Sequence, residues 1–246
     1  MHLEEIRDYW NSRANGFSRA VNEELETEEK NRWEKIFRKN LKEGSLVLDL
    51  GTGAGFFPVI LSALGHQVTA VDYSEEMTER AKERFSALSL SVRTLQMDAQ
   101  ELSFEDQSFD AVVTRNVLWN LDHPDRALSE AFRVLKPGGT LILEDGNMYL
   151  YLYQDEYAEL HRKRVEEAKK KGQAEGGLHG KHNVDNVDFS IIENIARDLP
   201  MSRVQRPQWD FDQLVRLGFD RIQVEIHGNP LPMGFLITAR KTSAVH

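Results

Sequence analysis

Apolar residues along this chain come in two alternating textures. Short aliphatic runs with little polar interruption, such as Val47-Leu48-Asp49-Leu50 and Val68-Thr69-Ala70-Val71, predict strands buried on both faces. Between them, apolar residues recur at helical spacing. The pattern predicts strands over Leu46–Leu50, Val68–Asp72, Leu90–Gln96, Ala111–Thr114 and Thr140–Glu144. It predicts helices over about Ala54–Leu64, Glu75–Leu88 and Asp125–Leu135. A further helix near Phe211–Leu217 leads into two strands, Phe219–His227 and Gly234–Lys241. Strand and helix in alternation predict an α/β fold, a mostly parallel sheet with helices on both faces.

Two stretches break this rhythm. Residues 3–40 read as helical, but their apolar positions are sparse: Ile6, Tyr9, Trp10, Phe17, Val21, Leu25, Trp33, Ile36 and Phe37. After Asp145 the alternation stops until about Phe211. That stretch holds four tyrosines, a highly charged helix over Tyr157–Lys171, a glycine-bearing loop over Gly172–Gly180 and a short helix over Ile191–Leu199. The expected organisation is therefore a helical lid at 1–40, a ligand-binding core at 41–145, an insertion at 146–210 and a closing helix and hairpin at 211–246.

The chemistry concentrates after the first strand. Gly51-Thr52-Gly53-Ala54-Gly55-Phe56 puts glycine at alternate positions where the chain must turn and approach a ligand. The helix that follows would aim its N-terminal amides at that ligand. Asp72 ends the second strand 21 residues after Gly51, a placing that suits a carboxylate on a ribose diol. A dinucleotide fingerprint would need glycine at position 56. Phe56 stands there, and Gly55 comes one residue early.

Composition narrows the classes. The chain has 246 residues, of which 40% are hydrophobic and 29% charged, which is ordinary for a soluble globular protein. A net charge of −9 disfavours nucleic acid as a partner. With no cysteine, disulfides, thiolate metal sites and a cysteine nucleophile are excluded. No apolar run approaches the ~20 residues of a membrane span, so no membrane partner and a cytoplasmic location are expected. His161, His179 and His182, with Asp185 near, match no firm metal-ligand spacing, and no metal is expected.

Asp49 followed by G-x-G-x-G resembles motif I of the class I S-adenosylmethionine (SAM) methyltransferases. The resemblance continues in Ser108-Phe109-Asp110, in Arg133-Val134-Leu135-Lys136-Pro137-Gly138-Gly139 and in Leu217-Gly218-Phe219 before a hairpin. It implies a Rossmann-like sheet of seven strands in the order 3-2-1-4-5-7-6, the last strand antiparallel, with a helical cap insertion. It implies SAM as cofactor, S-adenosylhomocysteine as product, and direct in-line displacement at the methyl. Asp49, Gly51, Thr52, Gly53 and Gly55 would form the donor loop, and Asp72 would hold the ribose. Tyr73, Met77, Asp98 and Ala99 would contact the adenine, and Asn116 would lie along the methionine portion. Tyr9 and Arg13 would reach the methionine carboxylate, since a guanidinium matches its geometry.

The acceptor is less defined. Trp10, Trp119, Tyr149, Tyr151 and Trp209 suit a small apolar or cationic molecule accepting at oxygen, nitrogen or sulfur. His123, Asp145 and His161 are candidate bases. The insertion is expected to bind the acceptor and to serve a homodimer. Two other readings stay open: an NAD-dependent oxidoreductase, although a Tyr-x-x-x-Lys pair is lacking, and a non-catalytic SAM-binding protein.

Overall fold

A computed structural model describes residues 2–172, 182–228 and 231–243. Two helices open the chain, α1 (Leu3–Glu24) and α2 (Glu28–Asn40). Then β1 (Leu46–Leu50), α3 (Phe56–Ala63), β2 (Gln67–Asp72), α4 (Glu75–Ala87) and β3 (Arg93–Gln96) alternate. They are followed by β4 (Phe109–Arg115), α5 (Pro124–Val134) and β5 (Leu135–Gly146). The insertion carries α6 (Asp155–Lys170) and α7 (Ser190–Ala196). The chain closes with α8 (Gln208–Leu217), β6 (Phe219–His227) and β7 (Gly234–Lys241).

The strands form one seven-stranded sheet in the order β3-β2-β1-β4-β5-β7-β6. Strands β1 to β5 pair in parallel, and β7 runs antiparallel to both β5 and β6. This is the sheet that the resemblance implied. The strand order reverses between β1 and β4, so the crossovers on either side part there and leave a crevice at the carboxyl ends.

Alternation along the strands sends side chains into two separate cores. Val47, Val113 and Ile142 join Trp33, Phe37 and Phe57 under α2 and α3. Leu48, Val112 and Leu141 join Leu128 and Leu214 under α5 and α8. Asp49 shares the parity of Val47, and Arg115 and Glu144 that of Val113 and Ile142, so all three fall on the α3 side of the sheet.

Boundaries shift where local chemistry intervenes. The expected helix over 3–40 breaks at Leu25, and Thr27 restarts it by accepting from the Glu29 amide at 3.3 Å. Helix α3 starts at Phe56 because Gly55, its N-cap, sits at φ +90°. Strand β3 loses Leu90, whose amide instead donates to the Phe85 carbonyl at the end of α4. The Lys136-Pro137-Gly138-Gly139 turn lies inside β5, where the register against β4 slips between Phe109 and Ala111. Strand β6 is the sheet edge, with a register shift between Asp220 and Gln223 and Arg221 at φ +48°.

The insertion folds back onto α1. Ile192, Ile195 and Leu199 pack with Ile6, Tyr9 and Trp119 in a small separate core. Most of the expected Gly172–Gly180 loop, with His179, lies outside the described residues. Among the described residues no helix is long and apolar enough to cross a membrane.

Candidate cofactor and acceptor site

A cavity of about 260 Å³ opens at the carboxyl ends of β1, β2 and β4, with α1 across it. The glycine loop forms its floor. The Gly51 and Thr52 amides both donate to the Val71 carbonyl, at 2.9 and 2.8 Å, which folds the chain back over β2. Gly51 sits at φ +75°, and a Cβ there would stand 2.2 Å from Val117. Glycine is therefore needed on two counts, backbone conformation and close packing.

Two carboxylates face this loop. Asp72 accepts from the Gly53 amide at 2.7 Å and the Ser74 amide at 2.9 Å. Burial nonetheless raises its carboxyl to about 6. Asp49 is 2% exposed, and its Oδ2 has no hydrogen-bond partner. Burial pushes it up to about 7, with the Asp72 charge adding, while the nearby Thr52 hydroxyl and the Arg115 charge oppose. A buried carboxylate oxygen with nothing to accept from is a place for a cation or a donor group.

Most of the expected donor residues line this one cavity: Asp49, Gly51, Thr52, Gly53, Asp72, Tyr73, Met77, Asp98, Ala99 and Asn116. Ser74 caps α4 by accepting from the Met77 amide at 3.1 Å, which sets Met77 into the wall. Asp98 accepts from the Gln100 amide at 2.9 Å. Asn116 turns the chain out of β4 at φ +56°. Trp10 and Trp119 line the same space and meet edge to face, centroids 6.3 Å apart.

Residues 48–143 match a methyltransferase domain family. That stretch is a class I methyltransferase domain. Over 132 residues the chain is 38% identical to demethylmenaquinone methyltransferase of Staphylococcus aureus, covering 51% of this chain and 54% of that one. Over 100 residues it is 40% identical to the Clavibacter sepedonicus protein of the same name, covering 41% and 40%. The chain thus spans about half the length of the curated relatives it matches, or less. A solved SAM-dependent methyltransferase from Aquifex aeolicus shares the fold, with TM-score 0.58 at 24% identity over 89% of this chain and 93% of that one. One from Methanosarcina mazei does so with TM-score 0.57 at 23% identity over 85% and 97%.

SAM is the cofactor of this domain family, and the side chains present fit it. The unpartnered Asp49 oxygen suits an ammonium group. Asp72, with both oxygens anchored by amides, retains lone pairs for a ribose diol. Met77 and Ala99 supply apolar wall for a base.

Several expected site residues of the methyltransferase domain and its additions stand elsewhere. Gly55 is off the cavity wall. A Cβ there would lie 2.7 Å from the Phe85 ring, so its lack of side chain serves α3–α4 packing. Arg13 is 2% exposed, donates to Asn183 Oδ1 at 2.7 Å and lies 4.8 Å from the Phe189 ring. It anchors α1 to the insertion. Tyr9 is buried beside it, and burial raises its hydroxyl to about 12.

Tyr149 packs behind Trp119 at 5.3 Å, one layer away from the cavity. Tyr151 donates to Glu193 Oε2 at 2.8 Å and stacks on His161 at 3.8 Å. That stacking holds His161 on α6, away from the donor loop. Trp209 packs against the core under α5 and α8. His123 is exposed at the start of α5, where its amide donates to Gln100 Oε1 at 2.7 Å.

Asp145 is buried in an ion-pair network with Arg206 and Asp210. Its Oδ2 meets Arg206 Nη1 at 3.0 Å and accepts from the Trp119 amide at 3.2 Å, and its Oδ1 accepts from the Gly146 amide at 2.8 Å. Arg206 in turn donates to Asp210 at 2.8 and 2.5 Å. Of the histidines weighed as metal ligands, His182 pairs with Glu23 at 2.8 Å. Among the described residues no group of three metal-ligating side chains forms.

The cavity also holds residues that the sequence reading passed over. Leu3, Ile6 and Phe17 of α1 line it, as do Met148, Glu24 and Arg115. Arg115 donates to Glu24 and lies 4.6 Å from the Phe56 ring. Its signal was present: a cation at the carboxyl end of the strand, just past Ala111-Val112-Val113-Thr114.

Proposed function

We propose that this chain moves a methyl group from SAM to a small-molecule acceptor by direct in-line displacement. The observation that carries the reading is the convergence of Asp49 and Asp72, two carboxyls raised by burial, on one glycine-floored cavity. Bound SAM would supply an electrophilic methyl on a sulfonium centre. The chain's part is to hold, align and dry the reactants. Asp72 and the Gly51–Gly53 backbone fix the nucleoside, and α1 with Trp10 and Trp119 keeps water out. Alignment of two reactants contributes roughly 7–11 kcal/mol to such a step.

A small acceptor is supported by the shape of the site, a cavity at the strand ends with α1 across it. Leu3, Ile6, Trp10, Trp119 and Met148 give the acceptor an apolar, aromatic wall. None of His123, Asp145 and His161 lines the cavity, which favours an acceptor that needs no protein base, such as a sulfur or a neutral amine. The relatives are named for demethylmenaquinone, so that molecule is the first to assay. The insertion between β5 and α8 is our candidate for the acceptor cap, because α7 packs directly behind Trp119.

The same observation about bases also suits a non-catalytic SAM-binding protein. Release of S-adenosylhomocysteine with any acceptor excludes that reading. S-adenosylhomocysteine should raise Tm, and NAD should not. Asp72→Ala should weaken S-adenosylhomocysteine binding about tenfold or more in calorimetry, through loss of charge-assisted hydrogen bonds. Unchanged affinity would remove Asp72 from the donor site.

A further inference from the structure

Two cations stand among the described residues that line the cavity, Arg7 and Arg115. Arg7 pairs with Glu4 and with Asp8, the latter at 2.9 Å, and its charge acts on Tyr73. It therefore belongs to the Asp72–Tyr73 end of the cavity. Arg115 is at the opposite end. It closes β4 beside β1, one residue beyond the Leu50–Thr114 pair, and its charge acts on the Asp49 carboxyl.

SAM is chemically polar along its length. One end is adenosine, and the other is an amino acid with an ammonium and a carboxylate. With the ribose at Asp72, the amino-acid end extends toward β1 and β4. The unpartnered Asp49 oxygen accepts the ammonium. The carboxylate then needs a cation, and Arg13, the expected one, is committed to Asn183. Arg115 is the cation at that end, and a protein carboxylate already sits on it.

We propose that Arg115 receives the donor's carboxylate and that Glu24 is an internal stand-in holding that place until the donor arrives. The inference rests on the SAM reading above. Three features support it. Glu24 and Arg115 both line the cavity, and both side chains are mostly buried, 16% and 18% exposed. Arg115 is held from behind by other groups: Phe56 under its guanidinium, and Glu144 at 3.9 Å, itself fixed by Arg32 at 2.7 Å. It thus keeps its place when Glu24 leaves. Glu24, by contrast, is the last residue of α1, where the helix ends and a side chain can swing to water at small cost. Displacing it would unfasten the end of α1 from β4, so donor binding and the seating of that helix are one equilibrium.

Calorimetry on the full chain tests this with two probes. S-adenosylhomocysteine carries the amino-acid end, and 5′-methylthioadenosine lacks it. Arg115→Met should weaken S-adenosylhomocysteine about tenfold or more and leave methylthioadenosine within about twofold. Glu24→Gln should tighten S-adenosylhomocysteine roughly threefold or more, because the competing contact is weaker, and leave methylthioadenosine unchanged. Equal weakening of both probes by Arg115→Met would make Arg115 a merely structural residue. Weaker S-adenosylhomocysteine binding in Glu24→Gln would overturn the stand-in. Glu24→Gln decides the matter alone if Arg115→Met fails to fold. If the unmutated chain binds neither probe, the donor reading falls and this inference falls with it. If the unmutated chain binds both and the variants fail to discriminate, only the inference falls.

Discussion

Asp49 and Asp145 are equally buried, each 2% exposed, and each near the carboxyl end of a central strand. They differ in what surrounds them. Asp49 keeps an oxygen without a partner, facing a cavity. Asp145 spends its oxygens on Arg206, the Trp119 amide and the Gly146 amide. The first is an open valence and the second a closed one. A buried charge left open is maintained against its desolvation cost and points to a ligand. One that is closed on itself is structure. Here the closed network bolts the end of the insertion to the loop that carries Trp119.

The contrast is tested hardest at Arg206. Arg206→Met leaves Asp145 and Asp210 buried without their cation. It should cost about 3–5 kcal/mol and lower Tm by roughly 10 °C. The affinity of the folded fraction for S-adenosylhomocysteine should stay within about twofold. An equal loss of donor affinity would show that the two networks are not separate.

On the donor side, Gly51→Ala tests the floor of the site. Positive φ and the Val117 contact together should cost about 2–3 kcal/mol. Because any relief moves the loop, donor binding should fall with it. A variant that loses stability and keeps full affinity would show that the loop can shift without the site.

The smallest effect is the most specific. Donor ammonium binds ionised Asp49, so S-adenosylhomocysteine affinity should rise with pH and level off above about 7. Below that, each pH unit should cost up to about tenfold. Stability of the donor-free chain carries the opposite sign. The folded carboxyl, near 7, holds its proton more tightly than the unfolded one, near ~3.9. Its contribution to stability is full below about 4 and is lost as pH rises through about 7. Asp49→Asn should remove the part of both trends centred near 7 and leave the part near 6, which belongs to Asp72. Calorimetry and melting between pH 5.5 and 8 would check the pair, and an affinity slope in Asp49→Asn unchanged between pH 6.5 and 7.5 would assign it to another group.

The residues that line the cavity on the candidate donor side could be placed from the sequence because their determinants are local. The Gly51–Gly53 turn, Asp72 and Asp98 follow strand ends in sequence, so their placement comes with the fold. Arg13 and Tyr9 misled because which face of α1 meets the cavity is set by Asn183 and Phe189, far along the chain. Arg115 could be seen as a residue, but its partner Glu24 lies 91 positions away. Nothing near Asp145 announces Arg206. The aromatic stretch after Asp145 predicted a pocket wall and instead supplies the layer behind it, with Met148 as its contribution to the cavity.

The outer strand has a consequence for how this chain behaves in a crowded solution. Strand β6 ends the sheet with Val224 and Ile226 exposed, a row of unpaired backbone groups that another chain's strand could extend. The kink at Asp220–Gln223, with Arg221 out of extended geometry, shortens the straight part of that edge to five residues, Gln223–His227, and Glu225 places a charge in it. Straightening the edge by removing the kink would trade a defect in one sheet for a template that recruits others, and the first symptom would be loss of soluble protein, with donor binding intact in what remained.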